Sequence, residues 1–231
     1  VGVQENAPVA GLMLAPLGSM LKAARLDARD VQLAKMAQQN GQQLLSLVNE
    51  ILDLSKMESG KMKLQETAVS LQPFLHRVVS AFESHAERLG IHFIFEYKVA
   101  ERMWVLLDED KLQKVLNNLL SNALKFTEPD SGGTITVRVE DVNNRIRLCV
   151  EDTGRGIHPD DLPYVFERFF QTRQSDAPAE GGTGSGLALC REFAEVMGGT
   201  IWVSSTLGKG SRFYFEVPKK EVPGTDQEVP E

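Results

Sequence analysis

The chain has 231 residues, 42% of them hydrophobic and 25% charged, with a formal net charge of −7 at pH 7. This composition is typical of a folded globular protein of one or two domains, which excludes a disordered, collagen-like or membrane-spanning chain. The acidic balance argues against non-specific nucleic-acid binding, and the two cysteines lack the spacing of a zinc site or a disulfide framework. With no apolar run long enough to span a bilayer, the chain is expected to be cytoplasmic. It opens on Val1 rather than Met, so we expect a fragment of a longer protein.

Residues 9–57 are predicted to form a helical hairpin, assigned to a first domain at 1–61. In its second helix one seam recurs at spacings of four and three, as in a coiled coil. The seam consists of Leu33, Ala37, Asn40, Leu44, Leu47, Ile51 and Leu54. A lone hairpin would leave this seam exposed, so we expect a homodimer in which two hairpins form a four-helix bundle. Packing of the hairpin on the rest of its own chain is the alternative.

Beyond a polar linker at 62–68, interspersed helices and strands predict an α+β domain at 69–218, an α/β sandwich with helices on one face of a sheet. Helices are expected around residues 75–86, at Glu109–Phe126 and from Gly186 to about Met197. Strands of antiparallel appearance are expected at His92–Tyr97, Thr134–Val142, Arg145–Asp152, Thr200–Thr206 and Ser211–Val217. The charged residues 219–231 are predicted to be a tail or linker.

One face of the helix Glu109–Phe126 carries Asn118, Asn122 and Lys125, separate from the apolar stripe of that helix. At 100° per residue these three positions span an arc of about 60°. Two carboxamides above an ammonium group can offer oxygen to a hard cation and positive charge to phosphate. Taken alone, an ordinary solvated helix face explains them as well, although asparagine is a poor helix former.

Two glycine-containing segments follow along the chain. The pattern Asp152-x-Gly154-x-Gly156 ends a strand, and its carboxylate could accept a hydrogen bond from an exocyclic amine such as that of adenine. A surface turn is the simpler alternative. Residues 182–187 run directly into a helix, so their N–H groups and the helix N-terminus could cradle phosphate. This segment is not a Walker loop, because no Lys-Ser/Thr pair follows its last glycine.

In combination these segments resemble the ATP lobe of sensor histidine kinases, which share a superfamily with DNA gyrase and mismatch-repair ATPases. The resemblance rests on the order of Asn-x-x-x-Asn-x-x-Lys, Asp-x-Gly-x-Gly, Phe166–Phe170 and Gly-Thr-Gly-x-Gly-Leu. It covers roughly residues 62–218, and the hairpin resembles the family's dimerisation and phosphotransfer bundle. It implies ATP and Mg²⁺ as cofactors, and a response regulator receiver domain and an upstream sensor domain as partners. Any membrane tether would lie outside this fragment.

The resemblance also implies roles for the polar helix face. Asn122 would coordinate Mg²⁺, Asn118 would help to hold metal and phosphates, and Lys125 would meet the triphosphate. In superfamily members that hydrolyse ATP, a Glu stands at the position of Asn118 and acts as general base, which an amide cannot do. Asn118 therefore favours phosphoryl transfer over ATP hydrolysis. It weakens the alternative that the chain is an ATP hydrolase of the gyrase type.

For the base and the phosphates, the resemblance implies two further groups of residues. Asp152 would bind the adenine amine, while Gly154 and Gly156 would leave room for the nucleotide. A lid over the phosphates would be formed by Gly182, Thr183, Gly184, Ser185, Gly186 and Leu187. Ser185 stands where the family often has Leu, which affects the packing of the lid. An aromatic box would anchor this lid: Phe166, Phe169 and Phe170.

The nucleophilic histidine that such a kinase needs is missing from its expected place. Counting back from residues 12–17, which resemble the family's segment just downstream, puts the acceptor at Gln4, followed by Glu5 at the position of the family's acid. Aligning on Pro8 gives Val3 instead. A carboxamide is not a phosphoryl nucleophile, and every histidine lies outside the hairpin: His76, His85, His92 and His158.

Two readings of the function therefore stay open. The first is a histidine kinase core that binds Mg-ATP and whose own phosphorylation is in doubt. The second is a nucleotide-binding module that regulates an intact kinase by dimerising with it. The acceptor position favours the second reading, and the nucleotide residues favour the first.

Overall fold

The computed structural model describes residues 62–100, 102–171 and 184–222, together with scattered residues between 29 and 55. The chain divides into two units, residues 1–60 and 61–231. The described residues of the first unit are helical, and two leucines of the predicted seam, Leu33 and Leu44, are 55% and 62% exposed. Ala37 of the seam is exposed as well, whereas the first predicted helix and the seam residues Asn40, Leu47, Ile51 and Leu54 lie outside the described residues. Within the described part of the chain, no helix is long and apolar enough to cross a membrane.

The second unit contains every helix and strand that the sequence predicted, with bounds that differ by a few residues at most. Among the described residues of this unit, the α-helices are α1 (Leu71–Arg88), α2 (Glu109–Phe126) and α3 (Gly186–Val196). The strands are β1 (Thr67–Ser70), β2 (His92–Lys98), β3 (Trp104–Leu107), β4 (Thr134–Val142), β5 (Arg145–Asp152), β6 (Thr200–Thr206) and β7 (Gly210–Pro218). The short strands β1 and β3 were not predicted, and β1 begins inside the expected 62–68 linker.

Five strands form one mixed sheet in the order β2-β4-β5-β7-β6, while β1 and β3 pair in a separate small sheet. The pair β2–β4 is parallel, from His92↔Thr134 to Lys98↔Glu140, and the other pairs in this sheet are antiparallel. The expectation of antiparallel strands is therefore wrong for β2 and β4. Parallel neighbours need a long crossover, and here the chain passes through β3 and α2 between them.

The core lies between one face of the five-stranded sheet and the helices. Val137, Val150 and Phe213 are matched across β4, β5 and β7 and are all buried. The opposite face carries charged pairs such as Arg138–Glu96. Helix α2 lies between α1 and α3 and contributes a fully buried apolar stripe: Leu112, Val115, Leu116, Leu119 and Leu120. Burial of this stripe positions the polar face of α2, on which the candidate site depends.

Candidate functional site

The predicted asparagine face lies on a well-anchored helix. Asp108 caps α2 by accepting a hydrogen bond from Lys111 N–H at 3.1 Å, and acidic residues occupy the first turn, where the helix dipole favours them. Asn118 and Asn122 are half-buried, and Lys125 is exposed. These side chains therefore flank the apolar stripe of α2, as the sequence predicted.

The end of the predicted lid meets this asparagine face. A Cβ atom added to Gly186 would lie 2.2 Å from Asn118 Oδ1, so α3 begins in contact with that amide. Gly184 has φ +71°, and a Cβ there would lie 2.8 Å from the backbone of Phe169 and of Phe170. Glycine thus permits two close approaches, one to α2 and one to the aromatic segment. Ser185 is buried and Leu187 is half-buried, whereas Gly182 and Thr183 lie outside the described residues.

The three aromatic residues predicted to anchor the lid differ in their surroundings. Phe166 is half-buried and makes an edge-to-face contact with Phe213 of the sheet, with ring centroids 6.4 Å apart. Phe170 packs 5.9 Å from the ring of Tyr164. Phe169 is 66% exposed and has φ +62°, which is strained for a bulky side chain. The backbone of Phe169 and Phe170, rather than their rings, makes the close approach to Gly184.

Asp152 is a buried carboxyl group at the end of β5, with 6% of its surface exposed. Its Oδ1 accepts a hydrogen bond from Gly154 N–H at 2.9 Å. Burial raises the pKa of Asp152 to about 6, although hydrogen bonds from the N–H groups of Gly154 and Ser211 act in the opposite direction. At pH 7 and above, Asp152 is therefore a buried anion suited to accept a hydrogen bond from a ligand.

Glycines allow three backbone segments to close around Asp152. A Cβ at Gly154 would lie 2.1 Å from Phe126 O, and one at Gly156 would lie 2.2 Å from Thr206 O. A Cβ at Gly210, where φ is +107°, would lie 1.9 Å from Asp152 O. The ends of α2 and β5 and the turn between β6 and β7 therefore meet here backbone to backbone.

Phe126 connects the two halves of the site, although no sequence motif marks it as a site residue. Its carbonyl accepts a hydrogen bond from Arg155 N–H at 3.2 Å. Its half-buried ring lies 4.5 Å from the Arg155 guanidinium carbon and 5.2 Å from Lys125 Nζ. The signal in the sequence was its position directly after Lys125, but only the fold places it beside Gly154.

The donor set fits a magnesium nucleotide better than a free metal ion. Asn118 and Asn122 supply amide oxygens on successive turns of α2, and Mg²⁺ prefers oxygen ligands while keeping several waters or phosphate oxygens. Among the described residues, no group of three or more His, Cys, Asp and Glu side chains could hold a metal ion. A divalent cation would therefore need phosphate oxygens to complete its coordination.

The family described as histidine kinase-, DNA gyrase B-, and HSP90-like ATPase matches residues 107–221. The matched segment contains α2, Asp152 with its glycines, and α3. A solved structure of the catalytic domain of histidine kinase ThkA shares 30% sequence identity and a TM-score of 0.58. The alignment covers 68% of this chain and 99% of that one. The chain belongs to this histidine kinase-, DNA gyrase B-, and HSP90-like ATPase family.

Relatives of this ATPase-family chain confirm the resemblance to sensor histidine kinases. Hybrid signal transduction histidine kinase D of Dictyostelium discoideum is 35% identical over 213 residues, which are 90% of this chain and 14% of that protein. Full-length ShkA, solved in complex with AMPPNP, has a TM-score of 0.73 and 28% identity. That alignment covers 94% of this chain and 46% of ShkA. The chain thus spans less than half the length of either protein.

Proposed function

We propose that this chain binds Mg-ATP and forms the kinase core of a two-component signalling protein. The observation that carries the proposal is that α2 makes close contact with both other parts of the site: with the start of α3 at Asn118, and with the segment after the buried Asp152 at Phe126. Glycine at positions 154 and 186 permits these two close approaches. The relatives named histidine kinases support the same function, as does the AMPPNP complex of ShkA.

Each part of the site has a task in this proposal. Asp152 accepts a hydrogen bond from the exocyclic amine of adenine, and Lys125 meets the triphosphate. The amide oxygens of Asn118 and Asn122 hold Mg²⁺, which supplies charge neutralisation at the phosphates when bound. Residues 182–187 and the N-terminus of α3 cover the phosphates with N–H groups. Because the Asn118 amide cannot take a proton from water, the site favours transfer to another nucleophile over hydrolysis.

The exposed leucines of the helical unit support a homodimer as the working form. Leu33 and Leu44 belong to a seam with coiled-coil spacing, and a second copy would cover them. We also propose a response regulator receiver domain as phosphoryl acceptor and a sensor domain upstream. The relatives are much longer than this chain, which leaves room for such domains in them.

A second candidate function follows from Gln4, which stands where the resemblance places the acceptor. A chain with an intact nucleotide site and no nucleophile would bind ATP and regulate an intact kinase by dimerising with it. Gln4 and Glu5 lie outside the described residues, so their sequence identity alone supports this candidate.

Incubation with Mg²⁺ and terminally labelled ATP separates these two functions. We expect the chain to bind ATP without forming an acid-labile phosphohistidine, and we expect Gln4→His to become labelled. Label on the parent chain would show that the alignment to Gln4 is wrong. An unlabelled Gln4→His chain that still binds ATP would reject position 4 as the acceptor and favour the regulatory module.

Asp152 should make adenine recognition dependent on pH. Its pKa is raised to about 6, so the carboxylate is ionised above that pH and becomes protonated as the pH falls to 5. We expect the ratio of ATP affinity to GTP affinity to fall about tenfold between pH 7.5 and pH 5, since a charged acceptor contributes roughly 1.5–3 kcal/mol. The two nucleotides share their phosphates, so phosphate protonation largely cancels in the ratio. In Asp152→Asn the ratio should be low at both pH values, and a ratio independent of pH in the parent chain would remove this role.

A further inference from the structure

Residues 63–66 and 219–222 lie near each other beside β3, and residues 63–66 also contact the start of α2. Residues 63–66, which lead into β1, lie against Asp108 and Lys111. Residues 219–222, which follow β7, lie against β3. We refer to residues 63–66, Asp108, Lys111 and 219–222 together as the junction. None of these residues has a task in the nucleotide site described above.

A buried ion pair forms the centre of the junction. Asp108 is 2% exposed and Lys111 is 7% exposed, and their Nζ–Oδ2 distance is 2.6 Å. Lys111 Nζ also donates to Lys63 O at 3.2 Å, and Gln65 N–H donates to Asp108 Oδ2 at 2.8 Å. Burial by itself would raise the pKa of Asp108, but the hydrogen bonds from Lys111 and Gln65 hold this pKa below its ordinary value. The pair therefore binds the entering chain to the N-cap of α2.

The segment 219–222 contributes to the junction by binding to β3 and to Glu66. Leu106 N–H donates to Lys220 O at 2.8 Å, and Val222 N–H donates to Trp104 O at 3.2 Å. The Lys220 ammonium forms an ion pair with Glu66. Strand β3 thus lies between β1 and this segment, and the chain entering the domain is tied directly to the chain leaving it.

Helix α2 connects the junction to the nucleotide site. Asp108 is its N-cap, and Asn118 and Asn122 lie about 15 and 21 Å along the helix axis at 1.5 Å per residue. The buried stripe and the intrahelical hydrogen bonds make α2 a stiff element, so a shift of its N-cap moves the asparagines with it. A buried ion pair is weak evidence for stability, because apolar replacements are often neutral, so this pair calls for another explanation.

We propose that Asp108 and Lys111 are positioning residues that couple the segments 63–66 and 219–222 to nucleotide binding at Asn118 and Asn122. The proposal rests on the proposed function, because it concerns regulation of the same site. Coupling between two sites is reciprocal in free energy. Nucleotide binding should therefore stabilise the contacts of residues 63–66 with Asp108 and Lys111. Conversely, loss of these contacts should weaken nucleotide binding.

The double variant Asp108→Asn/Lys111→Met tests this coupling. Asparagine keeps one oxygen as the helix cap but cannot accept the second hydrogen bond, from Gln65 N–H. Methionine removes the ammonium that would otherwise stay buried without its partner. In the parent chain we expect Mg-ATP to slow amide exchange at Gln65 about fivefold or more. In the double variant we expect fast exchange that ATP does not change, and ATP affinity lower by about the same factor.

The exposed pair Glu66–Lys220 gives a second test that does not disturb the buried residues. Glu66→Lys and Lys220→Glu should each reduce the protection of Gln65 by ATP, and the combined exchange of charges should restore it. A purely structural contact would leave the protection of Gln65 independent of ATP in every one of these variants. If the buried double variant fails to fold, as judged by circular dichroism, these surface variants decide the question.

A matched control removes an ion pair on the far face of the sheet. Arg147→Gln breaks the contact with Glu216, which keeps its other partner, Arg145, at 2.7 Å. This variant should change neither the exchange at Gln65 nor ATP affinity. If amide exchange at Gln65 is fast in the double variant while its ATP affinity equals that of the parent chain, the coupling is overturned. Failure of the parent chain to bind ATP would instead overturn the proposed function, so the two failures are distinguishable.

Discussion

Replacing Asn122 by alanine should lower the affinity for Mg-ATP about 100-fold, because the variant loses the amide oxygen proposed to bind the metal. Loss of a group that only supports a metal ligand already costs 10- to 100-fold in affinity, so loss of a ligand belongs at the upper end of that range. Alanine is the better helix former, so the free energy of unfolding should not fall. Isothermal titration calorimetry with Mg-ATP measures the change in affinity directly.

The control for this substitution lies on the same helix. Asn117 is exposed and outside the proposed ligand face, so Asn117→Ala should bind Mg-ATP like the parent chain. When Mg²⁺ is removed with a chelator, the difference between Asn122→Ala and the parent should largely vanish. Unchanged affinity of Asn122→Ala in the presence of Mg²⁺ would contradict the metal assignment.

Gly210→Ala should destabilise the second unit by about 4 kcal/mol, which is a large effect for adding one methyl group. The added Cβ would lie 1.9 Å from Asp152 O, a backbone atom that cannot move without displacing the end of β5. The residue also has φ +107°, a conformation that alanine rarely adopts. Urea unfolding monitored by circular dichroism gives the change in the free energy of unfolding.

Gly208, two residues earlier in the same turn, separates the two causes of this loss. It has φ +78°, but an added Cβ would meet no atom within 4 Å. Gly208→Ala should therefore cost only about 1 kcal/mol, the cost of the backbone conformation alone. Equal losses for the two variants would show that the close approach to Asp152 does not matter for stability. Gly210→Ala should also weaken ATP binding, because it disturbs the backbone of Asp152.

Together, these predictions test whether the chain has a complete nucleotide site but lacks the acceptor histidine. If both the Asn122 and the Asp152 predictions hold while the parent chain remains unlabelled, the nucleotide site is complete and only the nucleophile is absent. Under that outcome Gln4→His decides between a kinase core and a regulatory module. The two functions make the same demands on the ATP site, so binding data alone do not separate them.

Local periodicity determined most of the secondary structure of this protein. The bounds Glu109–Phe126 could be predicted because apolar and polar residues in a helix repeat within a few positions of one another. The turn between β4 and β5 could be predicted because Asn143 and Asn144 tolerate positive φ, and they have φ +52° and +62°. Family membership was likewise visible in the order of short motifs.

Only the tertiary structure decided which of these elements touch. The parallel pairing of β2 with β4, the contact of Phe126 with Gly154 and the approach of Gly210 to Asp152 all join residues far apart in the chain. Strands β1 and β3 escaped prediction because four residues are too few to show alternation. The hydrogen bond from Gln65 to Asp108 spans 43 positions and depends on burial of a charge that local patterns would place on the surface. Sequence patterns report which face of an element is apolar, whereas the free energy of packing selects its partner.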